Sequence, residues 1–89
     1  TWGTPKQIPS DDSKCASFPQ IAMDAAGNGI VIYQCEGSTW AIRFDGTAWG
    51  TGEKISSDNS SSPQIVMNAA GNAIVVWECE GSIWARRFE

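Results

Sequence analysis

Residues 19 to 45, PQIAMDAAGNGIVIYQCEGSTWAIRFD, return at residues 63 to 89 as PQIVMNAAGNAIVVWECEGSIWARRFE, identical at 18 of 27 positions with no gap and an offset of 44. A fixed period of this size is the signature of a repeat architecture in which each copy is one supersecondary unit. Working outward, WGTPKQIPSDDS from Trp2 matches WGTGEKISSDNS from Trp49 at an offset of 47, so three extra residues fall between Ser13 and Pro19, around Cys15. The 89-residue chain is thus two tandem units of about 45 residues each.

Within each unit, short strands alternate with turn chemistry. Pro19 opens a run with apolar residues at every second position, Ile21, Met23 and Ala25, and Ala26-Gly27-Asn28 ends it, which reads as a strand and a hairpin. Gly27 and Asn28 tolerate positive φ, and the following Ile30-Val31-Ile32-Tyr33 is a β-branched and aromatic run without a polar face, the pattern of a strand buried on both sides. Glu36-Gly37-Ser38 makes a second turn. Trp40, Ile42 and Phe44 then alternate with Ala41 and Arg43 up to a third turn at Asp45-Gly46. The stretch Trp49 to Ile55 reads as a weaker outer strand, interrupted by Gly50 and Gly52. The second copy repeats the scheme at Ile65, Gly71, Ile74 to Trp77, Gly81 and Trp84 to Phe88, and no helical period occurs anywhere.

Four antiparallel strands in a unit of this length, with a central strand apolar on both faces, is the arithmetic of a β-propeller blade. Met23-Asp24-Ala25-Ala26-Gly27-Asn28-Gly29-Ile30-Val31 resembles the first hairpin of NHL-type and related short-repeat propellers, where an Asp-x-x-Gly-Asn turn precedes an apolar strand. The second copy departs by Asn68 in place of Asp24, which that turn tolerates. The resemblance covers nearly the whole chain and implies an all-β propeller with two four-stranded blades: residues 19 to 56 as the first, and 63 to 89 as the second without its outer strand. Residues 1 to 8 then form an outer strand that completes a neighbouring blade.

Two blades cannot close a ring, so a partner is expected. The outer strand at one end and the incomplete blade at the other are complementary, which describes a head-to-tail interface that closes if the angle suits. A homotrimer of six blades is favoured over rings of four or eight.

Composition narrows the chemistry. With no His there is no Ser-His-Asp or Cys-His engine and no mixed Cys/His zinc site, so the chain is read as a non-enzyme without cofactor or metal. A net charge of −4 with six scattered basic residues offers no stripe for a polyphosphate backbone, which argues against nucleic acid. No apolar run approaches roughly 18 residues, which argues against membrane insertion, and the N-terminal residues lack the features of a signal peptide. Compartment stays open, with a secreted or extracytoplasmic setting slightly favoured and any export signal already removed.

Residues that recur at both copies are the candidate site: Glu36 and Glu80, Trp40 and Trp84, Arg43 and Arg87, Trp2 and Trp49. An aromatic face, a guanidinium fork and a carboxylate together suit a sugar, whose C–H face stacks while its hydroxyls take hydrogen bonds. By architecture the chain is similar to small fucose-binding propeller lectins, some built from two-blade subunits that trimerise, although their motifs do not match here position by position. The expected function is a multivalent carbohydrate-binding module. The alternatives are a structural propeller fragment or an engineered self-assembling unit with no ligand. The bland reading of the same residues is inter-blade packing for Trp40 and Trp84, and an Arg43–Glu36 ion pair. Three cysteines fit a disulfide framework poorly, and reduced thiols are expected at Cys15, Cys35 and Cys79, with a Cys15–Cys35 bridge as the alternative. Asp11-Asp12 and Asp58-Asn59 invite a calcium reading, against which a Ser-rich solvated connector is preferred.

Overall fold

The computed structural model of the chain describes residues 2–8, 16–56 and 59–89. Asp11, Asp12, Cys15 and Asp58 lie outside the described residues, and the calcium reading with them. The described chain is all-β. Seven strands follow in order: β1 (Ser17–Met23), β2 (Gly29–Cys35), β3 (Ser38–Phe44), β4 (Glu53–Lys54), β5 (Ser60–Met67), β6 (Ala73–Cys79) and β7 (Ser82–Phe88). They form two antiparallel meanders, a sheet of order β1-β2-β3-β4 and a sheet of order β5-β6-β7. Among the described residues no helix is long and apolar enough to cross a membrane.

The two copies fold alike down to their irregularities. Both first strands begin upstream of the prolines that the sequence takes as their start, and both carry a bulge there. The register shifts between Ser17 and Gln20 in one and between Ser61 and Gln64 in the other, and the residue before each proline, Phe18 or Ser62, has φ of 52°. A proline has no N–H for the ladder, and a bulge accommodates that loss.

The β1–β2 turn is set by one side chain. Asp24 Oδ1 accepts hydrogen bonds from the amides of Ala26 and Asn28, both at 2.9 Å, and Asn28 Nδ2 donates to Asp24 Oδ2 at 3.0 Å. Asn68 Oδ1 does the same in the second copy, accepting from the Ala70 and Asn72 amides at 3.0 Å. The β2–β3 and β6–β7 turns are two-residue loops with both residues at positive φ, Glu36-Gly37 at 52° and 79° and Glu80-Gly81 at 49° and 81°. That is the turn whose twist matches the flanking strands. The expected strand from Trp49 to Ile55 shrinks to Glu53–Lys54 plus an isolated bridge between Phe44 and Trp49. The glycines at 50 and 52 lack side chains to pack, and the chain leaves the ladder between them.

Cross-strand pairing assigns the faces. Ala22, Ile30, Ile32 and Ala41 share one face of the first sheet, and Ile65, Met67, Ala73, Val75 and Trp77 share one face of the second. These two faces pack together as the core. Ile32 is fully buried there, and burial of such a side chain contributes about 1.5–3 kcal/mol. The central strand of the first sheet is buried on its far side too, where Tyr33 and Ile42 are covered. The chain at Gly52 lies so close that a β-carbon on it would stand 2.9 Å from the Tyr33 hydroxyl. The central strand of the second sheet differs from the expected two-sided burial, since Ile74 on its far face is 43% exposed.

A buried polar latch joins the sheets. The Thr39 amide donates to Ser56 Oγ at 2.8 Å, Ser56 Oγ donates to Ser60 Oγ at 3.0 Å, and the Ser60 amide donates to the Gly37 carbonyl at 2.8 Å. Gln34 Nε2 donates to the Ser60 carbonyl at 2.6 Å. Every buried polar group in this chain of contacts has a partner, as stability requires. The latch therefore fixes where β5 begins against the β2–β3 end of the first sheet.

Cys35 is disulfide-bonded, whereas Cys79, its counterpart in the second copy, is in no disulfide. The expectation of reduced thiols throughout is corrected at Cys35. An odd cysteine count leaves one thiol over without forbidding one bridge.

Candidate functional site

Where the two sheets diverge beyond the core they leave a groove of about 460 Å³. Its floor is apolar, made by Ile30 and Ala41 from the first sheet and Ala73 and Val75 from the second. Its walls are charged and aromatic. Arg43 on β3 enters from the first sheet, Arg86 and Phe88 on β7 from the second, and Asp45, Trp49 and Glu53 come from the chain between β3 and the end of β4. Apolar floor with a few convergent polar groups is the usual make-up of a small-molecule site.

Most of these residues are held in place by a side-chain contact. The Arg43 guanidinium lies over the Phe88 ring, 4.6 Å from its centroid, a cation–π contact across the two sheets. Arg86 Nη1 donates to the Ile55 carbonyl at 3.0 Å. Trp49 packs on Phe44 with ring centroids 4.8 Å apart and planes tilted by 43°. The Asp45 carboxylate closes the turn after β3, accepting from the Ala48 amide at 2.8 Å and the Thr47 amide at 2.9 Å. Those two amides, Ala48 first, hold its carboxyl below the usual carboxylate range, with the charge of Arg43 adding to them.

Of the eight residues singled out in the sequence, Arg43, Trp49 and Arg87 line this groove. Arg87 forms an ion pair with Glu89. The other five are elsewhere. Trp2 is almost fully exposed, with 98% of its surface in solvent. Glu36 and Glu80 are exposed turn residues, and Arg43 sits on Phe88 rather than with Glu36. Trp40 lies on the far face of the first sheet, across from Tyr33, with its indole N–H buried and unpartnered. Trp84 is across from Trp77, on the β7 edge, and does not line the groove. Asp45, Glu53, Arg86 and Phe88 were not singled out. Arg86 carried a signal all the same, as the position where the second copy replaces Ile42 by a charge.

Among the described residues no group of three or more His, Cys, Asp or Glu side chains is placed to hold a metal ion. The chain matches no protein-family model, no curated protein and no solved structure.

Proposed function

We propose that the chain is a two-blade subunit of a head-to-tail β-propeller ring, favoured as a homotrimer, which binds carbohydrate in its inter-blade grooves. One observation carries the assembly. The face of the second sheet buried in the core, with Ile65, Met67, Val75 and Trp77, is the repeat equivalent of the far face of the first sheet, with Ile21, Met23, Val31 and Tyr33. In the same way the buried Ala22, Ile30, Ile32 and Ala41 correspond to Val66, Ile74, Val76 and Ala85 on the far face of the second sheet. The two outward faces are therefore copies of the two faces already packed together. Ile21, Met23 and Val66 on them are more than half exposed. Apolar patches of this kind mark association surfaces, and a heterologous contact between them repeats the intramolecular one.

The carbohydrate reading rests on the groove, in which the Phe88 ring, the Arg43 and Arg86 guanidinium groups and the Glu53 carboxylate surround an apolar floor. Rings that stack on sugar C–H faces and charged groups that bond hydroxyls are the two halves of saccharide recognition. Equivalent shallow sites around a ring give avidity from weak single sites. A glycan array tests this reading, with saturable binding that free sugar competes and that Phe88→Ala or Arg43→Ala abolishes in a folded protein. Silence on every glycan from intact protein leaves the ligand-free assembly unit in its place.

A further inference from the structure

Resting on the carbohydrate reading of the groove, we propose that its ligand is an acidic sugar, whose carboxylate is taken between Arg86 and Arg43 at one site per chain. The repeat itself isolates Arg86. Its equivalent in the first copy is Ile42, which is 1% exposed and packs on the far side of its sheet. The groove between the two sheets of one chain thus holds a guanidinium that the equivalent surface of the first sheet lacks.

Two guanidinium groups, Arg43 and Arg86, and two carboxylates, Asp45 and Glu53, share the groove wall, and they differ in what holds them. Among the described residues, neither Arg43 nor Arg86 stands in an ion pair: Arg43 is stacked on Phe88, and Arg86 is held by the Ile55 carbonyl. Arg87 is neutralised by Glu89. Of the two carboxylates at the wall, Asp45 is committed to the Thr47 and Ala48 amides, which leaves Glu53 to accept sugar hydroxyls. Arg43 and Arg86 line the groove from opposite sheets, each oriented by a contact that leaves further N–H groups over, and guanidinium groups so placed would suit a planar carboxylate. A groove of about 460 Å³ has room for a sugar ring and not merely for a small anion.

The test is titration calorimetry of the whole chain with D-galacturonate, its neutral methyl ester and acetate. The expected result is one galacturonate per chain, bound roughly tenfold to a hundredfold more tightly than the ester, as charge-assisted hydrogen bonds give. Acetate should be far weaker. Arg86→Ile installs the residue that the first copy carries and should weaken galacturonate more than the ester, closing the gap between them, while Arg86→Lys should retain part of the difference. Equal binding of galacturonate and its ester overturns the acidic-sugar assignment and leaves the carbohydrate reading standing. Binding of neither sugar also overturns the acidic-sugar assignment, and the glycan array then decides the carbohydrate reading. Acetate competing as well as galacturonate, or two galacturonates per chain, also overturns the proposal.

Discussion

Trp40 and Trp84 occupy the same position of the two repeats, yet their surroundings differ by one strand. Trp40 pairs across β3–β4 with Lys54, and the chain at Gly52 closes over its ring. Trp84 lies on β7, the edge of the three-stranded sheet, and is 57% exposed. The repeat names the segment that fits beside it. Residues 2 to 8, WGTPKQI, correspond to residues 49 to 55, WGTGEKI, so in the proposed strand exchange Gln7 of a second copy would take the place of Lys54 and Lys6 that of Glu53. An open β7 edge is a template for such pairing.

Deleting residues 1 to 8 should therefore abolish assembly and leave a monomer with Trp84 more exposed. Tryptophan fluorescence and a sizing column read both effects. A truncated chain that assembles unchanged contradicts strand exchange.

The two central strands should respond differently to truncation. Ile32→Ala removes a fully buried side chain from the core and should destabilise the chain by about 2–5 kcal/mol in urea unfolding at any protein concentration. Its repeat mate Val76 is half-buried on the far face of the second sheet. Val76→Ala should cost less in the dissociated chain and weaken association instead, shifting the midpoint of assembly to higher concentration.

Gly52 sits where a side chain cannot. Gly52→Ala would bring a β-carbon to 2.9 Å from the buried Tyr33 hydroxyl, and the expected loss is about 1–3 kcal/mol, the usual range for overpacking. Combining it with Tyr33→Phe, which removes the clashing oxygen, should recover much of that loss in thermal unfolding.

Acid should loosen one hairpin before its copy. The Asn28 side-chain amide, then its backbone amide, with further help from the Ala26 and Gly27 amides, lowers the Asp24 carboxyl from an ordinary 3.8. A depressed folded-state value means the stabilisation is present in full above the unfolded value and is lost as pH falls through the folded one. Below about pH 4 the amides of Ala26 and Asn28 should exchange faster, while those of Ala70 and Asn72, bonded to the uncharged Asn68, should not. Asp24→Asn should remove the difference. Equal acid sensitivity of the two hairpins contradicts the assignment.

Most of the fold was legible because the same local instructions occur twice. The Gly-Asn and Glu-Gly turns, the positions of the central strands and the alternation along β3 appear where the residues place them, since each is a local preference that the packing reinforces, whereas the two-sided burial expected of both central strands holds only for the first. The bulges at Phe18 and Ser62 were not legible. A residue at φ of 52° before a proline runs against local preference, and only the register of the whole ladder requires it. The site was legible only in part, because repetition was the criterion for choosing residues. Repetition found Arg43 and Trp49, but a residue that the sheets place in a single groove need not repeat, and Arg86 was passed over for that reason. Repetition also brought in Glu36 and Glu80, which recur because the same tight turn recurs.

The measurement that bears most directly on the account is the absolute mass in solution, by light scattering on a sizing column over a concentration series. The ring account predicts a mass of three chains that holds steady on dilution, because a closed ring satisfies every outward face at once. A monomer at all concentrations, or an open-ended ladder of masses, would contradict it.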